Sequence, residues 1–238
     1  LTHKLGETDQ LFVSLYNGSD NINSELNDSR IYDNNNVTET DKINMYWNWG
    51  NSIAIIRWNH LISNKLFVNT SATFTQYNFK THMGTEFNTL VINPKLETQQ
   101  NYLLEYNSGI IDYGLKSEFD FTPSPEHDIK FGTAYTFHVF KPGISTDELK
   151  VENESPVSQS ETVLGKEAIQ TNEIMLYAED NWNVNSFLKV NAGVHFASFI
   201  VQNTNYHSLQ PRLSLRALLT ESLSLKAGFA TMQQFVHL

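Results

Sequence analysis

The sequence contains no cysteine, which excludes disulfide scaffolds, thiol nucleophiles, iron–sulfur clusters and thiolate zinc sites. It has no excess of positive charge: 16 lysines and arginines stand against 26 aspartates and glutamates, a formal charge of −10. General nucleic-acid affinity rests on neutralising phosphates with Lys and Arg, so no nucleic-acid partner is expected. No apolar run approaches the ~18 residues that a membrane-spanning helix needs; Ile53 to Ile56 is typical of the short runs present. That excludes helical membrane proteins alone. A transmembrane β-barrel alternates lipid-facing and lumen-facing side chains, so its average stays polar.

Catalytic signatures are missing as well. There is no Gly-rich phosphate loop, no Gly-x-Ser-x-Gly elbow and no kinase signature. The eight histidines, at 3, 60, 82, 127, 138, 195, 207 and 237, show no paired zinc-site spacing. Strand geometry could still bring His138 and His195 to similar depth. Glu118 and Asp120 share a strand face with Lys116 and read as a solvated ladder, not as an acid/base pair across a cleft. Asp28, Asp33 and Asn34–Asn36 hint at calcium ligation but lack the Glu and Gly placements of a calcium loop. No enzyme activity, metal or cofactor is expected.

What is present is alternation. Aromatic residues make up 12% and charged residues 18% of the chain, a composition suited to pleated surfaces. Nine strands are expected, over 10–24, 41–60, 64–88, 101–122, 127–141, 170–184, 186–204, 208–219 and 221–236. In the fourth, Ile111, Tyr113, Leu115, Ser117, Phe119 and Phe121 oppose Asp112, Gly114, Lys116, Glu118 and Asp120. The fifth, seventh, eighth and ninth repeat the pattern. Period two also suits a soluble sandwich, but two features favour a barrel. Several runs are about twice the usual strand length of ~5–6 residues. Connections also alternate between tight (60–65, 122–127, 183–186, 219–222) and long (25–40, 88–100, 142–169, 204–208), as barrels with short turns at one end and long loops at the other do. Trp58, Phe67, Phe121, Trp182 and Phe187 lie near the tight turns, and Tyr46, Trp47, Trp49, Tyr77 and Phe79 near the long loops. Two aromatic girdles at the membrane interfaces would have this placement.

Glu173-Ile-Met-Leu-Tyr-Ala-Glu-Asp-Asn-Trp182 and Leu188-Lys-Val-Asn-Ala-Gly193 resemble barrel strands of TonB-dependent outer-membrane receptors, most nearly those of Bacteroidota-type bacteria. Ser208-Leu-Gln-Pro-Arg-Leu-Ser-Leu-Arg216, Leu223-Ser-Leu-Lys-Ala-Gly228 and Met232-Gln-Gln-Phe-Val-His237 are similar to the hairpin that follows. Arg57-Trp-Asn-His60 with Leu66-Phe-Val-Asn-Thr70 resembles an earlier hairpin. The resemblance implies an all-β, antiparallel transmembrane β-barrel of 22 strands closed by an N-terminal plug. Residues 1–238 would be a partial barrel domain, about two-fifths of a 22-stranded wall, and both ends read as cuts through a longer protein. It further implies a Gram-negative outer-membrane transporter for a scarce solute of siderophore, cobalamin, oligosaccharide or peptide class. Its partners would be outer-membrane lipid, its own plug domain, TonB through an N-terminal segment, and a surface lipoprotein in some relatives. A passive porin-type channel and a soluble all-β binding or adhesin module remain the alternatives.

Candidate site residues follow from the alternation. Arg57, Asp112, Lys116, Glu118, Lys130, His138, Lys189, Arg212, Arg216 and Lys226 fall on the polar, lumen-facing side. His138, Arg212 and Arg216 are its ligand-binding candidates. Trp47, Trp49 and Tyr77, toward the long-loop rim, could stack on a ligand or anchor at the interface. The stretch 142–169 carries Asp147, Glu148, Glu152, Glu154, Glu161 and Glu167 against Lys150 and Lys166 and reads as an acidic external loop.

Overall fold

The computed structural model describes residues 1–32, 37–92, 95–152, 155–165 and 167–235. Their regular structure is all β, in eleven strands. These are β1 (Thr2–Lys4), β2 (Asp9–Tyr32), β3 (Val37–Ser63), β4 (Leu66–Val91), β5 (Leu96–Ser124), β6 (His127–Glu152), β7 (Ser155–Leu164), β8 (Ile169–Asn183), β9 (Leu188–Val201), β10 (Thr204–Leu218) and β11 (Ser224–Ala230). Each strand pairs antiparallel with the next in one sheet, with one detour. β7 folds back on the tip of β6, from Ile144↔Leu164 to Glu152↔Ser155. β8 then takes over the lower part of β6, from Phe140↔Ile169 to His127↔Trp182. Among the described residues the outermost strands β1 and β11 do not meet, so the sheet is an open sector of a barrel wall.

The nine expected strands are all there; β1 and β7 are additional. The expected long connections are corrected. β2 runs on to Tyr32 and β3 starts at Val37, β4 reaches Val91 and β5 starts at Leu96, and most of 142–169 is β6 and β7. The acidic stretch is therefore largely a hairpin. Water wets both faces of these extensions, so no apolar residue is required at every second position and the period-two signal vanishes. Asp33, Asn34–Asn36, Glu154, Lys166 and His237 lie outside the described residues, as do the side chains of Glu148, Lys150 and Glu152.

Connections at the opposite end are tight and self-satisfied. In one, the Asn185 side-chain oxygen accepts from the backbone N–H groups of Phe187 (3.0 Å) and Leu188 (2.8 Å). In another, Thr220 Oγ1 accepts from Leu223 N–H at 3.1 Å. Such Asx- and ST-type turns let a short connection satisfy its own donors.

The sheet has almost no buried core. Among the described residues Val68, Ala197 and Phe199 are the buried apolar ones, while Leu15 is 79%, Leu115 55%, Leu209 67% and Phe229 64% exposed. Cross-strand register puts these exposed residues on one face. Val13, Ile56, Ala72, Leu115, Tyr135 and Ile174 form one continuous row across six strands. An apolar face of this extent is foreign to a soluble monomer and is what a bilayer requires. On β5 the apolar band runs from Ile111 to Phe121, the ~9–11 residues a tilted strand needs to cross hydrocarbon.

The facing assignment has a direct check. Leu115→Arg places a charge in the middle of the band and is expected to cost ~2–4 kcal/mol, lowering the amount of folded barrel recovered from outer membranes. Val190→Arg, opposite Trp182 near the turns, should cost ~0–1 kcal/mol, and Lys116→Gln on the other face should leave yield unchanged. Equal yields for Leu115→Arg and Lys116→Gln would overturn the assignment.

Candidate functional site

The face opposite the apolar band is polar, and several of its charges are paired. Lys116 Nζ lies 2.7 Å from Glu118 Oε1, which also accepts from the Tyr177 hydroxyl at 2.9 Å. Lys130 meets Asp120 at 3.5 Å and Arg212 meets Glu179 at 3.9 Å. Arg57 lies over the Phe12 ring, 4.3 Å from its centroid. The Tyr177–Glu118 bond depends on a glycine between the two strands. A Cβ on Gly132 would stand 2.6 Å from Ser117 O and 2.8 Å from Tyr177 Cε1, so the ring crosses β6 only because that position is bare.

His138 sits in an enclosed polar cluster of the wall. Its side chain is 14% exposed, Nδ1 is 2.8 Å from Asp112 Oδ1 and Nε2 is 3.3 Å from Glu173 Oε2. Thr75 donates to the second Asp112 oxygen at 3.3 Å. Thr171, opposite His138 in the ladder, is buried, and its hydroxyl finds no partner among the described residues. A protonated imidazole would donate to both carboxylates at once. Glu173 was not foreseen as a partner, because alternation along each strand does not set the register between β6 and β8. His195 is not level with His138. It lies in the row of Gly132 and Tyr177, six residues nearer the turns.

Near the turns the same face carries an unusual row. Lys189, Arg216 and Lys226 are direct cross-strand neighbours on β9, β10 and β11. Like charges directly opposite are unfavourable unless water or an anion relieves them. A cavity of about 460 Å³ opens there, bordered by Asp128, Asn181, Ser214 and these three cations.

At the far end of the sheet the faces exchange character. On the outer face the row Leu15–Ala54–Phe74–Tyr113 is the last dominated by apolar residues. Two rows further on it reads Ser19–Gly50–Asn78–Gly109, then Asn21–Asn48–Lys80–Asn107. Ion pairs decorate this polar outer surface, Lys42–Glu25 at 3.4 Å and Lys80–Glu105 at 3.2 Å. The Asn27 side chain, and then Lys42, hold the Glu25 carboxyl below its ordinary range. The inner face becomes apolar and aromatic at the same height. Trp49 pairs with Phe79, and Ile22, Trp47, Thr81 and Tyr106 form the next row. Met45, Met83 and Leu104 follow, and then Ile43 and Tyr102. Phe79 meets Tyr106 edge-on at 6.1 Å, and Phe87 meets Tyr102 at 6.1 Å.

Trp47, Trp49 and Tyr77 thus fall together on one face, with Tyr77 opposite Asn51, two positions along from Trp49. His138 lies lower, and Arg212 and Arg216 lower still, so the six candidates do not form one site. The expected upper girdle is corrected: Tyr46 faces outward against His82 (6.0 Å), but Trp47, Trp49, Tyr77 and Phe79 face inward, away from lipid. Among the described residues no group of His, Asp and Glu could hold a metal ion.

A family model described as "TonB dependent receptor-like, beta-barrel" matches residues 3–234. No protein of curated function matches the sequence. Among solved structures, the ferripyoverdine receptor of the Pseudomonas aeruginosa outer membrane aligns at 10% identity and TM-score 0.39, covering 96% of this chain and 42% of that one. The siderophore receptor PirA of P. aeruginosa aligns at 12% identity and TM-score 0.35, covering 96% and 43%. The outer membrane transporter YddB of Escherichia coli aligns at 9% identity and TM-score 0.35, covering 93% and 38%. The chain spans about two-fifths of the length of these structures.

Replacing Gly132 tests the crossing ring. Gly132→Val should cost about 1–3 kcal/mol through overpacking, reducing the fraction of protein with heat-modifiable mobility on gels. Gly84→Val is the control, since its nearest neighbour, Leu103 Cδ1, is 4.0 Å away. It should behave as wild type; equal losses at the two glycines would show that the Tyr177 crossing is not constrained by Gly132.

Proposed function

The chain belongs to the TonB dependent receptor-like β-barrel family, a family of outer-membrane receptors and transporters of Gram-negative bacteria, and on that premise we propose that it is one sector of the wall of an active import receptor. In this reading the inner face above the bilayer receives a scarce solute, of siderophore, cobalamin, oligosaccharide or peptide class. A plug domain fills the lumen, TonB supplies the energy from the periplasm, and a surface lipoprotein is a candidate lid.

The observation that supports this reading is the exchange of faces. A wall that served only as a passive pore has no need of aromatic side chains on its inner surface above the membrane. Here Trp47, Trp49, Tyr77, Phe79, Tyr102 and Tyr106 line that surface, while the outer surface at the same height is polar. Broad amphipathic rings suit capture of a large solute, through stacking at little entropic cost. Below them the charge ladder keeps the lumen wet. His138, with its two carboxylates, and Arg212 would face the plug across that water. The Lys189–Arg216–Lys226 row would take carboxylates of the plug near the periplasmic mouth.

The test is uptake by a strain lacking the receptor, complemented with the wild type or with Trp47→Ala/Trp49→Ala. Ferric siderophores, cobalamin, oligosaccharides and peptides are each supplied at limiting concentration. One class should depend on the receptor and on TonB. The double variant should reach the outer membrane in normal amount yet bind that solute about tenfold more weakly, the loss of two stacking contacts. Uptake that persists without TonB would identify a passive channel and sink the proposal.

A further inference from the structure

On the lipid-facing side, close to the tight turns, one three-residue arrangement occurs twice. In the first, Asp9 on β2 lies directly opposite His60 on β3, with Trp58 two residues along on the same face. Asp9 Oδ1 takes the Nδ1 side of His60 at 2.8 Å and the Trp58 indole N–H at 2.9 Å. Trp58 and His60 stack with centroids 5.1 Å apart and planes 22° from parallel. In the second, His127 on β6 lies directly opposite Trp182 on β8, with Asp180 two residues along. His127 Nδ1 is 2.7 Å from Asp180 Oδ2, and the His127 and Trp182 rings stack at 5.5 Å and 12°.

The two sites draw Asp, His and Trp from different strands in a different order, yet share two contacts, the His–Asp pair and the His–Trp stack; the indole-to-carboxylate bond belongs to the first alone. Register places both on the apolar face, since Asp9 continues Leu11 and Val13, and Asp180 and Trp182 continue Ile174 and Leu176. Interface anchoring alone would need only the tryptophans. It does not account for a histidine clamped beneath each indole by a carboxylate, on a face otherwise given to lipid. The clamp fixes which nitrogen is used: Nδ1 is turned to the carboxylate, and Nε2 has no hydrogen-bond partner among the described residues. The tryptophans remain 39% and 42% exposed, leaving indole surface open beside that nitrogen.

We propose that each Trp–His–Asp cluster is a binding site for one zwitterionic phospholipid headgroup of the leaflet at the turn end. With a proton on each ring nitrogen, the histidine holds its aspartate through Nδ1–H and donates from Nε2–H to the lipid phosphate. The lipid ammonium lies over the neighbouring indole, where a cation is attracted to the ring face. Phosphate and ammonium are joined by a two-carbon link in such a headgroup, and the stacked rings present their complements side by side. An anionic headgroup offers the phosphate but nothing for the indole.

The receptor, purified whole from outer membranes, is delipidated and exposed to equimolar phosphatidylethanolamine and phosphatidylglycerol, and retained lipid is counted by native mass spectrometry. The wild type should keep two lipids with about a three- to tenfold preference for the zwitterionic one. His60→Phe and His127→Phe preserve ring stacking but remove Nε2, and each should delete one preferred lipid; the double variant should show no preference. A wild type that retains both lipids equally, or a double variant that keeps the preference, would overturn the proposal. The wild-type comparison alone decides if a variant fails to fold.

Discussion

Hydrocarbon offers backbone amides no partners, so every N–H and C=O that crosses it must be satisfied within the protein. The rest of the wall follows from that constraint. It demands a continuous antiparallel ladder, and the ladder turns alternate side chains to opposite faces. One face must then be apolar for as long as lipid touches it, while the other is free to be polar. Nine strands comply with hardly any buried core: stability comes from strand pairing and from the membrane, not from one layer packed on another. The exposure that would ruin a soluble protein, as at Leu15 or Leu209, is the mark of an environment supplied from outside.

The constraint also explains where the wall changes. The apolar band ends at Leu15, Ala54 and Phe74 on β2, β3 and β4 and at Ile111 on β5, and the outer face is polar within two rows. The strands do not stop there; β5 continues upward from Ile110 to Leu96, about 45 Å of extended chain. Once lipid no longer dictates the outer face, apolar side chains collect on the inner one, as in the rows of Trp47 and Met45. At the opposite end the demand is relaxed differently. Charged and aromatic side chains share the outer face in the two Trp–His–Asp clusters, because headgroups and water, not hydrocarbon, lie against them.

Polar contacts on the inner face show how closely neighbouring strands depend on one another. Tyr177 reaches Glu118 across β6 only because Gly132 has no side chain in the way. His138 finds one carboxylate on β5 and the other on β8. Neither arrangement is local in sequence.

Strand identity in the membrane band was legible from sequence because lipid enforces strict alternation there: residues 111–121, 129–139 and 209–217 could be read off by period two. The tight turns were legible too, since short connections need residues such as Asn185 and Thr220 that satisfy their own backbone. The strand extensions up to Tyr32, from Val37 and up to Glu152 were mistaken for loops because both of their faces are wet, and β7 was invisible for the same reason. The sequence by itself therefore determined the barrel wall, its two faces and its family. Tertiary structure decided what those faces do. Register alone reveals that Trp47, Trp49 and Tyr77 point inward, that Glu173 meets His138, and that Asp9 and Asp180 each hold a histidine under a tryptophan. The histidine contacts join residues 35, 51 and 53 positions apart, and no periodicity along one strand encodes which partner lies beside it.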